Sequence, residues 1–207
     1  MTFLDRPLDE LLTAFSDPTP TPGGGSASAL AAALGLSLVA MVAQMGRTRS
    51  GSDEDRVVLD QAKSALLPLR DHVSELVEGD ARAYDAVVAA YRLPKSTDEE
   101  KAARRVAVQS ALRGAAEVPL DVMRVCQAGL TAAIDVARHG NPFASSDIGV
   151  GLELLGAALR GAALNVRANL GSIDEQGWVE GVRSEVERLE AAAPLLLADV
   201  RAALDGT

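Results

Sequence analysis

The feature that most constrains the fold is an uncharged stretch near the N-terminus. Residues 27–46 carry no charged side chain and directly follow the run Gly23-Gly24-Gly25-Ser26. A segment of this length could cross a bilayer as a helix. However, it is rich in Ala, Gly and Ser and has no aromatic residue at either end, which is atypical of a membrane span. We therefore predict a central Ala-rich helix, apolar on every side because other helices bury it.

The composition indicates a helical, acidic protein. Of the 207 residues, 48% are hydrophobic but only 3% are aromatic; an interior built on Ala and Leu favours closely packed helices. The net charge of −9 argues against broad binding to nucleic acid or to an anionic membrane. The single cysteine, Cys126, excludes an intrachain disulfide, and no secretory signal is recognisable, so we expect a cytoplasmic protein.

The glycine run stands where the uncharged helix should begin. Ser26 is a good N-cap, and the glycines allow a ligand to approach backbone N–H groups, which favour anions at a helix N-terminus. No lysine follows in the P-loop pattern and no strand precedes it, so a nucleotide phosphate loop is not expected. The run is either a ligand-binding loop or a simple turn.

The remaining segments all favour helices. Helical spacing or capping signals predict helices over residues 5–15, 52–92, 101–138, 146–170 and from about 178 to 204. Pro68 is expected to bend its helix and Pro119 to break or kink its own, while Ser146 can cap the helix that follows the loop 139–147. No stretch alternates with period 2, so no sheet is expected. We predict an all-α, single-domain helical bundle over residues 1–207.

Four sequence blocks occur in an order and spacing that resemble a known family. They read PTPGGGSASALAAALGLSLVAMV, GDARAYDAVVAAYRLPKSTDEEKAAR, EVPLDVMRVC and HGNPFASSDIGVGLELLGAALRGAALNVRANL. Together they resemble the cyclodeaminase/cyclohydrolase family, which includes the cyclodeaminase domain of formiminotransferase-cyclodeaminase and free-standing methenyltetrahydrofolate cyclohydrolases. The resemblance implies an all-helical homodimer with a folate-binding cleft near the subunit interface.

The resemblance also implies a set of site residues. The family's Asp-x-x-Ala-aromatic pattern falls on Asp80 and Tyr84, so catalysis is assigned to Asp80. The glycine block looks like the ligand-facing loop, and the Gly-Asn…Ser-Asp block looks like a second wall of the cleft. The expected substrate-binding residues are Pro22, Gly23, Gly24, Gly25, Ser26, Arg47, Arg49, Tyr84, Asn141, Ser146, Asp147 and Asn165. Asn165 and Asn169 could instead have a purely structural role.

One segment departs from the family pattern. Where the family carries a lysine-rich stretch, this chain has Arg47 and Arg49. Arginine keeps the positive charge, which suits the glutamate carboxylates of a folate, but it does not readily exchange a proton. A catalytically silent folate-binding dimer therefore remains an alternative to an enzyme.

Both family reactions need a proton carrier beside the carbon that bridges N5 and N10 of tetrahydrofolate. One carboxylate can move the proton and stabilise a cation, a benefit of about 10²–10⁴-fold. We predict a methenyltetrahydrofolate cyclohydrolase, because no formiminotransferase half is fused to the chain, with formiminotetrahydrofolate cyclodeaminase as the alternative. We expect no tightly bound cofactor and no metal, since His72 and His139 lack ligand-spaced companions and Cys126 resembles a core thiol.

Overall fold

A computed structural model describes residues 2–205 as a bundle of helices. Within this range there is no strand, so the all-α prediction is confirmed. The helices are α1 (Leu8–Ser16), α2 (Gly24–Ala43), α3 (Asp53–Tyr91), α4 (Asp98–His139), α5 (Ser145–Leu170) and α6 (Gln176–Asp205), with short 3-10 turns at Phe3–Asp5 and Pro142–Ala144.

The uncharged helix α2 lies at the centre, in contact with α3, α4 and α5. The backbones of α2 and α5 approach closely where glycines face each other, because a Cβ on Gly35 would lie only 2.8 Å from the carbonyl oxygen of Gly151. Gly24 at the start of α2 lies beside Asn165 near the end of α5, so the two helices run antiparallel. The Ala- and Gly-rich sequence is what allows this packing.

One face of α2 remains open, which the sequence did not indicate. Leu34 is 53% exposed and Met41 is 39% exposed, whereas Leu36 and Val39 are fully buried. Among the described residues α2 is the one helix long and apolar enough to cross a membrane, and 61% of its most apolar window is buried by the rest of the chain. The central position is as predicted, but the expectation that neighbours of the same chain surround α2 is wrong.

Helix α3 begins within one residue of its predicted start and α4 begins three residues before its own, and α4 is less interrupted than expected. The Ser52 side chain accepts the N–H of Asp55 at the start of α3, and Thr97 forms a capping box with Glu100 at the start of α4. The expectation of a break near Pro119 is wrong, because α4 continues through it. Pro119 is buried and Leu120 beside it is fully buried, so core packing compensates for the lost backbone hydrogen bond.

Two predicted caps are also wrong. Helix α2 begins at Gly24 with Gly23 as its N-cap, so Ser26 already lies inside the first turn. Helix α5 begins at Ser145, directly after the 3-10 turn, so Ser146 is its second residue and caps nothing. The loop before α5 is ordered instead by Asn141, whose side-chain oxygen accepts the N–H of Phe143 at 3.1 Å.

Candidate functional site

The first turn of α2 holds the carboxylate of Asp80, which lies in the C-terminal half of α3. Asp80 Oδ2 accepts the backbone N–H of Ser26 at 2.9 Å and lies 3.2 Å from the Ser26 hydroxyl. That hydroxyl lies 2.8 Å from the carbonyl oxygen of Val77 as well, and its single proton can serve only one acceptor at a time. The positive end of the α2 dipole lies at the same carboxyl group.

Gly25 is required for this contact. A Cβ at this position would lie 2.0 Å from Asp80 Oδ1 and 2.4 Å from its Cγ. Since side-chain atoms do not approach each other so closely, only glycine lets the α2 backbone meet the carboxyl group. Ser26 is 0% exposed, so the structure places both residues behind Asp80, in contact with the carboxyl group and away from solvent.

Beside Asp80 lies an open cleft of about 300 Å³ between the glycine loop and helices α3, α4 and α5. Tyr84 lies one turn after Asp80 in the wall of this cleft and is 42% exposed. Pro22, which follows a cis peptide bond, is buried and does not line the cleft. The lining residues are Pro20, Thr21, Gly23, Gly24, Asp80, Tyr84, Val87, Leu112, Ala115, Asn165 and Asn169.

Asn165 and Asn169 reach the cleft from the last turns of α5. The amide nitrogen of Asn165 donates to the Gly161 carbonyl oxygen at 2.9 Å, and that of Asn169 donates to the Ala115 carbonyl oxygen at 2.7 Å. The second bond joins α5 to α4. Both asparagines are half-buried, and the structure brings them to the same cleft as Asp80.

A second group of predicted binding residues lies at the opposite end of α2. The Arg47 guanidinium stacks 4.4 Å from the centre of the Phe143 ring, and Arg49 donates to the Ala137 carbonyl oxygen at 2.7 Å. Asn141 belongs to the same end, and so do Ser146 and Asp147 in the first turn of α5. Since α2 has 20 residues, this group lies about 30 Å from Asp80 in one protomer. One small molecule cannot contact both groups within a single chain.

A hydrogen bond between Asp55 and His139, which sequence reasoning missed, helps to hold this second group in place. Asp55, 6% exposed, lies with Oδ1 2.7 Å from His139 Nδ1 and accepts the Ser50 N–H and hydroxyl through Oδ2, each at 2.7 Å. The Ser50 hydroxyl, followed by His139 and the Ser50 N–H, holds the pKa of Asp55 well below its ordinary value. No local signal in the sequence links residues so far apart.

Sequence reasoning also missed the apolar lining residues of the cleft, of which only Val87 had a local sequence signal. Residues 80, 84 and 87 recur at helical spacing, which places Val87 on the same face of α3 as Asp80 and Tyr84. Leu112 and Ala115 come from α4 and meet this face only through tertiary packing. Their side chains give the cleft an apolar wall suited to a flat ring.

The single thiol takes no part in this site. Cys126 is fully buried, and burial raises its pKa to about 12. The prediction of a core thiol is therefore confirmed, because a thiol with so high a pKa is a poor nucleophile. The chemistry available at the cleft is that of a half-buried, oriented carboxylate beside an apolar wall.

Comparison with known proteins places this arrangement in a family. The sequence matches the formiminotransferase-cyclodeaminase family over residues 7–188. It is 39% identical over 160 residues to the methenyltetrahydrofolate cyclohydrolase of Methylorubrum extorquens, covering 77% of each chain. It is 35% identical over 130 residues to the formimidoyltransferase-cyclodeaminase of Gallus gallus, covering 61% of this chain but only 24% of that protein. The crystal structure of formiminotetrahydrofolate cyclodeaminase from Thermotoga maritima superposes with a TM-score of 0.85 at 27% identity, covering 98% of both chains. The chain belongs to the formiminotransferase-cyclodeaminase family.

Proposed function

We propose that this protein hydrolyses 5,10-methenyltetrahydrofolate to 10-formyltetrahydrofolate. The observation that carries the proposal is the Asp80 carboxylate, fixed by the first turn of α2 at the edge of a cleft that has one apolar wall. Similarity to the Methylorubrum extorquens cyclohydrolase over 77% of both chains supports this reaction. The much longer Gallus gallus relative, of which this chain spans about a quarter, supports the alternative less strongly.

The proposed reaction uses Asp80 twice. The substrate carries a positive charge on the amidinium carbon between N5 and N10, and the nearby carboxylate stabilises this charge electrostatically. Water adds to the carbon and gives one proton to Asp80. The product of this step is a neutral tetrahedral adduct. As the bond from carbon to N5 breaks, Asp80 returns its proton to N5 and the adduct hydroxyl loses its proton to solvent. The net result is one formyl group on N10 and one released proton.

The other cleft residues would position the pterin. Tyr84, partly exposed and one turn from Asp80, can stack on the ring. Gly23 and Gly24 let the ligand approach the backbone, while Gly25 and Ser26 act indirectly, by orienting Asp80. The glycine loop thus contains residues that meet the ligand and residues that hold the carboxylate.

Turnover by the Asp80→Asn variant tests the proposal. Asparagine keeps the shape of the side chain but cannot accept the proton, so we expect the rate of loss of 5,10-methenyltetrahydrofolate absorbance to fall by about 10²–10⁴-fold. Asp85→Asn, an exposed carboxylate on the same helix, is the matched control and should retain wild-type turnover. Equal rates in wild type and Asp80→Asn would remove Asp80 from the mechanism.

Cyclodeamination of 5-formiminotetrahydrofolate is the second candidate. The Thermotoga maritima relative with this activity in its name matches the whole fold. In that reaction N10 attacks the formimino carbon and ammonia leaves, which also requires proton transfer at the same carbon. Ammonia release from 5-formiminotetrahydrofolate distinguishes this activity from hydrolysis. Binding of both folates without turnover would instead favour the silent folate-binding dimer.

A homodimer is proposed to complete the site. Helix α2 exposes an uncharged face that includes Leu34 and Met41, and its neighbour α5 exposes Val150 and Leu164. Apolar surface of this kind is typical of an interface, and the proposed occupant is a second copy of the chain. If the two copies of α2 run antiparallel, the partner's Arg47 group comes close to Asp80 and can bind the glutamate carboxylates of the folate.

The proposed reaction and the composition of the chain also bear on cofactor, partners and location. The reaction consumes only the folate and water, so it requires no tightly bound cofactor. The net charge of −9 makes nucleic acid an unsuitable partner, and the largely buried α2 favours a core helix over a membrane anchor. A free thiol at Cys126 suits a reducing compartment, which supports a cytoplasmic location.

A further inference from the structure

The two asparagines of α5 that line the cleft make the same kind of hydrogen bond. One N–H of each side-chain amide donates to a backbone carbonyl, that of Gly161 for Asn165 and that of Ala115 for Asn169. A carbonyl oxygen can only accept, so these bonds fix which amide atom is nitrogen. The oxygen of each amide is then on the other side of the group.

Both oxygens are available to a ligand. In the described part of the chain no donor bonds to either Oδ1, and neither Oδ1 belongs to the buried polar atoms that lack a partner. Both therefore reach solvent, and both residues line the cleft beside Asp80. Asn165 also lies against Gly24, where a Cβ would come 3.5 Å from its oxygen, so a larger residue at position 24 would crowd it.

A tetrahydropterin ring offers the complementary edge. Its pyrimidine half carries a 2-amino group and an adjacent N3–H, which both donate hydrogen bonds. Two acceptors in a partly dry cleft bind such donors, and they reject a ring that lacks them because the acceptors would be left unpaired. The apolar side chains of Val87 and Leu112 line the same cleft and suit the flat face of the ring.

We propose that Asn165 and Asn169 are specificity-determining residues that accept hydrogen bonds from the 2-amino and N3–H donors of the pterin. This inference rests on the proposed function, since it names how the folate is held in that site. A purely structural role would need only the amide nitrogens. The two roles therefore depend on different atoms of the same side chains and can be separated.

The test compares kcat/KM for 5,10-methenyltetrahydrofolate and for its 2-desamino-2-methyl analogue, which lacks the 2-amino donor. We expect wild type to prefer the natural substrate by about tenfold or more, through KM and not kcat. The preference for the natural substrate should shrink toward unity in Asn169→Ala and in Asn165→Ser. The serine hydroxyl of the second variant can still donate to the Gly161 carbonyl oxygen. Thermal melts establish that each variant is folded.

The outcomes are distinguishable. Wild type that uses both compounds equally well would overturn the inference, whether or not the variants fold. So would a preference that survives unchanged in both variants. Either result leaves the cyclohydrolase proposal intact, because turnover is still observed. If folded wild type neither binds nor turns over either compound, both the proposed function and this inference are wrong.

Discussion

At Asp80 the orientation of one carboxyl group depends on two residues from another helix. The Ser26 N–H donates to Oδ2 at 2.9 Å, and the missing side chain of Gly25 leaves room for Oδ1. A proton carrier must lie within hydrogen-bond reach of the reacting group, so a small displacement matters. The loop thus acts on the chemistry through the position of Asp80.

The Gly25→Ala variant tests this indirect role. The new methyl group would meet the Asp80 carboxyl group at 2.0 Å, so the carboxylate must move and we expect kcat to fall by about 10²-fold. Gly114→Ala is the matched control, since nothing lies within 4 Å of its Cβ position in α4. That change should leave kcat unaltered and stabilise the fold by about 0.5–1 kcal/mol. A Gly25→Ala enzyme with wild-type kcat would contradict the proposed positioning.

Among the elements, the connection between α2 and α3 is held by hydrogen bonds to both α3 and α4. Asp55 in the first turn of α3 bonds Ser50 within the connection and His139 at the end of α4. Arg49 adds a backbone hydrogen bond of 2.9 Å to the His139 carbonyl oxygen. These bonds fix the position of the segment that carries Arg47 and Arg49.

The pH dependence of stability should reveal this pair. The folded pKa of Asp55 lies below its ordinary value of about 3.9, so its contribution is present above that pH and is lost as pH falls below it. We expect Asp55→Asn to cost about 1–3 kcal/mol at pH 7, because buried donors lose their charged acceptor. The difference from wild type should shrink steadily below pH of about 4.

Thermal unfolding across this pH range measures the effect. Asp53→Asn, an exposed carboxylate in the same helical turn, is the control and should change stability by only a few tenths of a kcal/mol. A gap between Asp55→Asn and wild type that stays constant down to pH of about 2 would show that the ionised carboxylate of Asp55 is not the stabilising form.

For the whole molecule, the two groups of predicted binding residues pose a geometric problem. Asp80, a residue of α3, packs against the first turn of α2. Arg47 and Asn141 lie beyond the last turn of α2, about 30 Å away. The open apolar face of α2 lies between them. A two-fold axis through that face, perpendicular to α2, would bring the start of each helix to the end of its partner.

Mixed dimers test this arrangement directly. If each site combines Asp80 of one chain with Arg47 of the other, then Asp80→Asn and Arg47→Ala are each weakened alone. Unfolded together and refolded, they should regain about a quarter of wild-type activity, because half the dimers are mixed and each has one intact site. A mixture no more active than its two components would contradict a shared site. Asp80→Asn mixed with Asp85→Asn controls for dilution by active chains.

Much of this protein is determined by its sequence over short distances. Helical spacing and the caps at Ser52 and Thr97 determine where helices form, since these signals depend on neighbours within a few turns. The absence of charge in α2 favours a place in the interior. The Asp80 pattern is likewise local, and residues 80, 84 and 87 share a face by spacing alone.

Tertiary structure alone decided which groups meet. Ser26 bonds an aspartate 54 residues away instead of capping its own helix, and Asp55 meets a histidine 84 residues away. The antiparallel packing of α2 and α5 placed Asn165 beside Asp80 and Ser146 far from it. Helix periodicity shows which residues share a face, but only the packing of whole helices sets what each face touches.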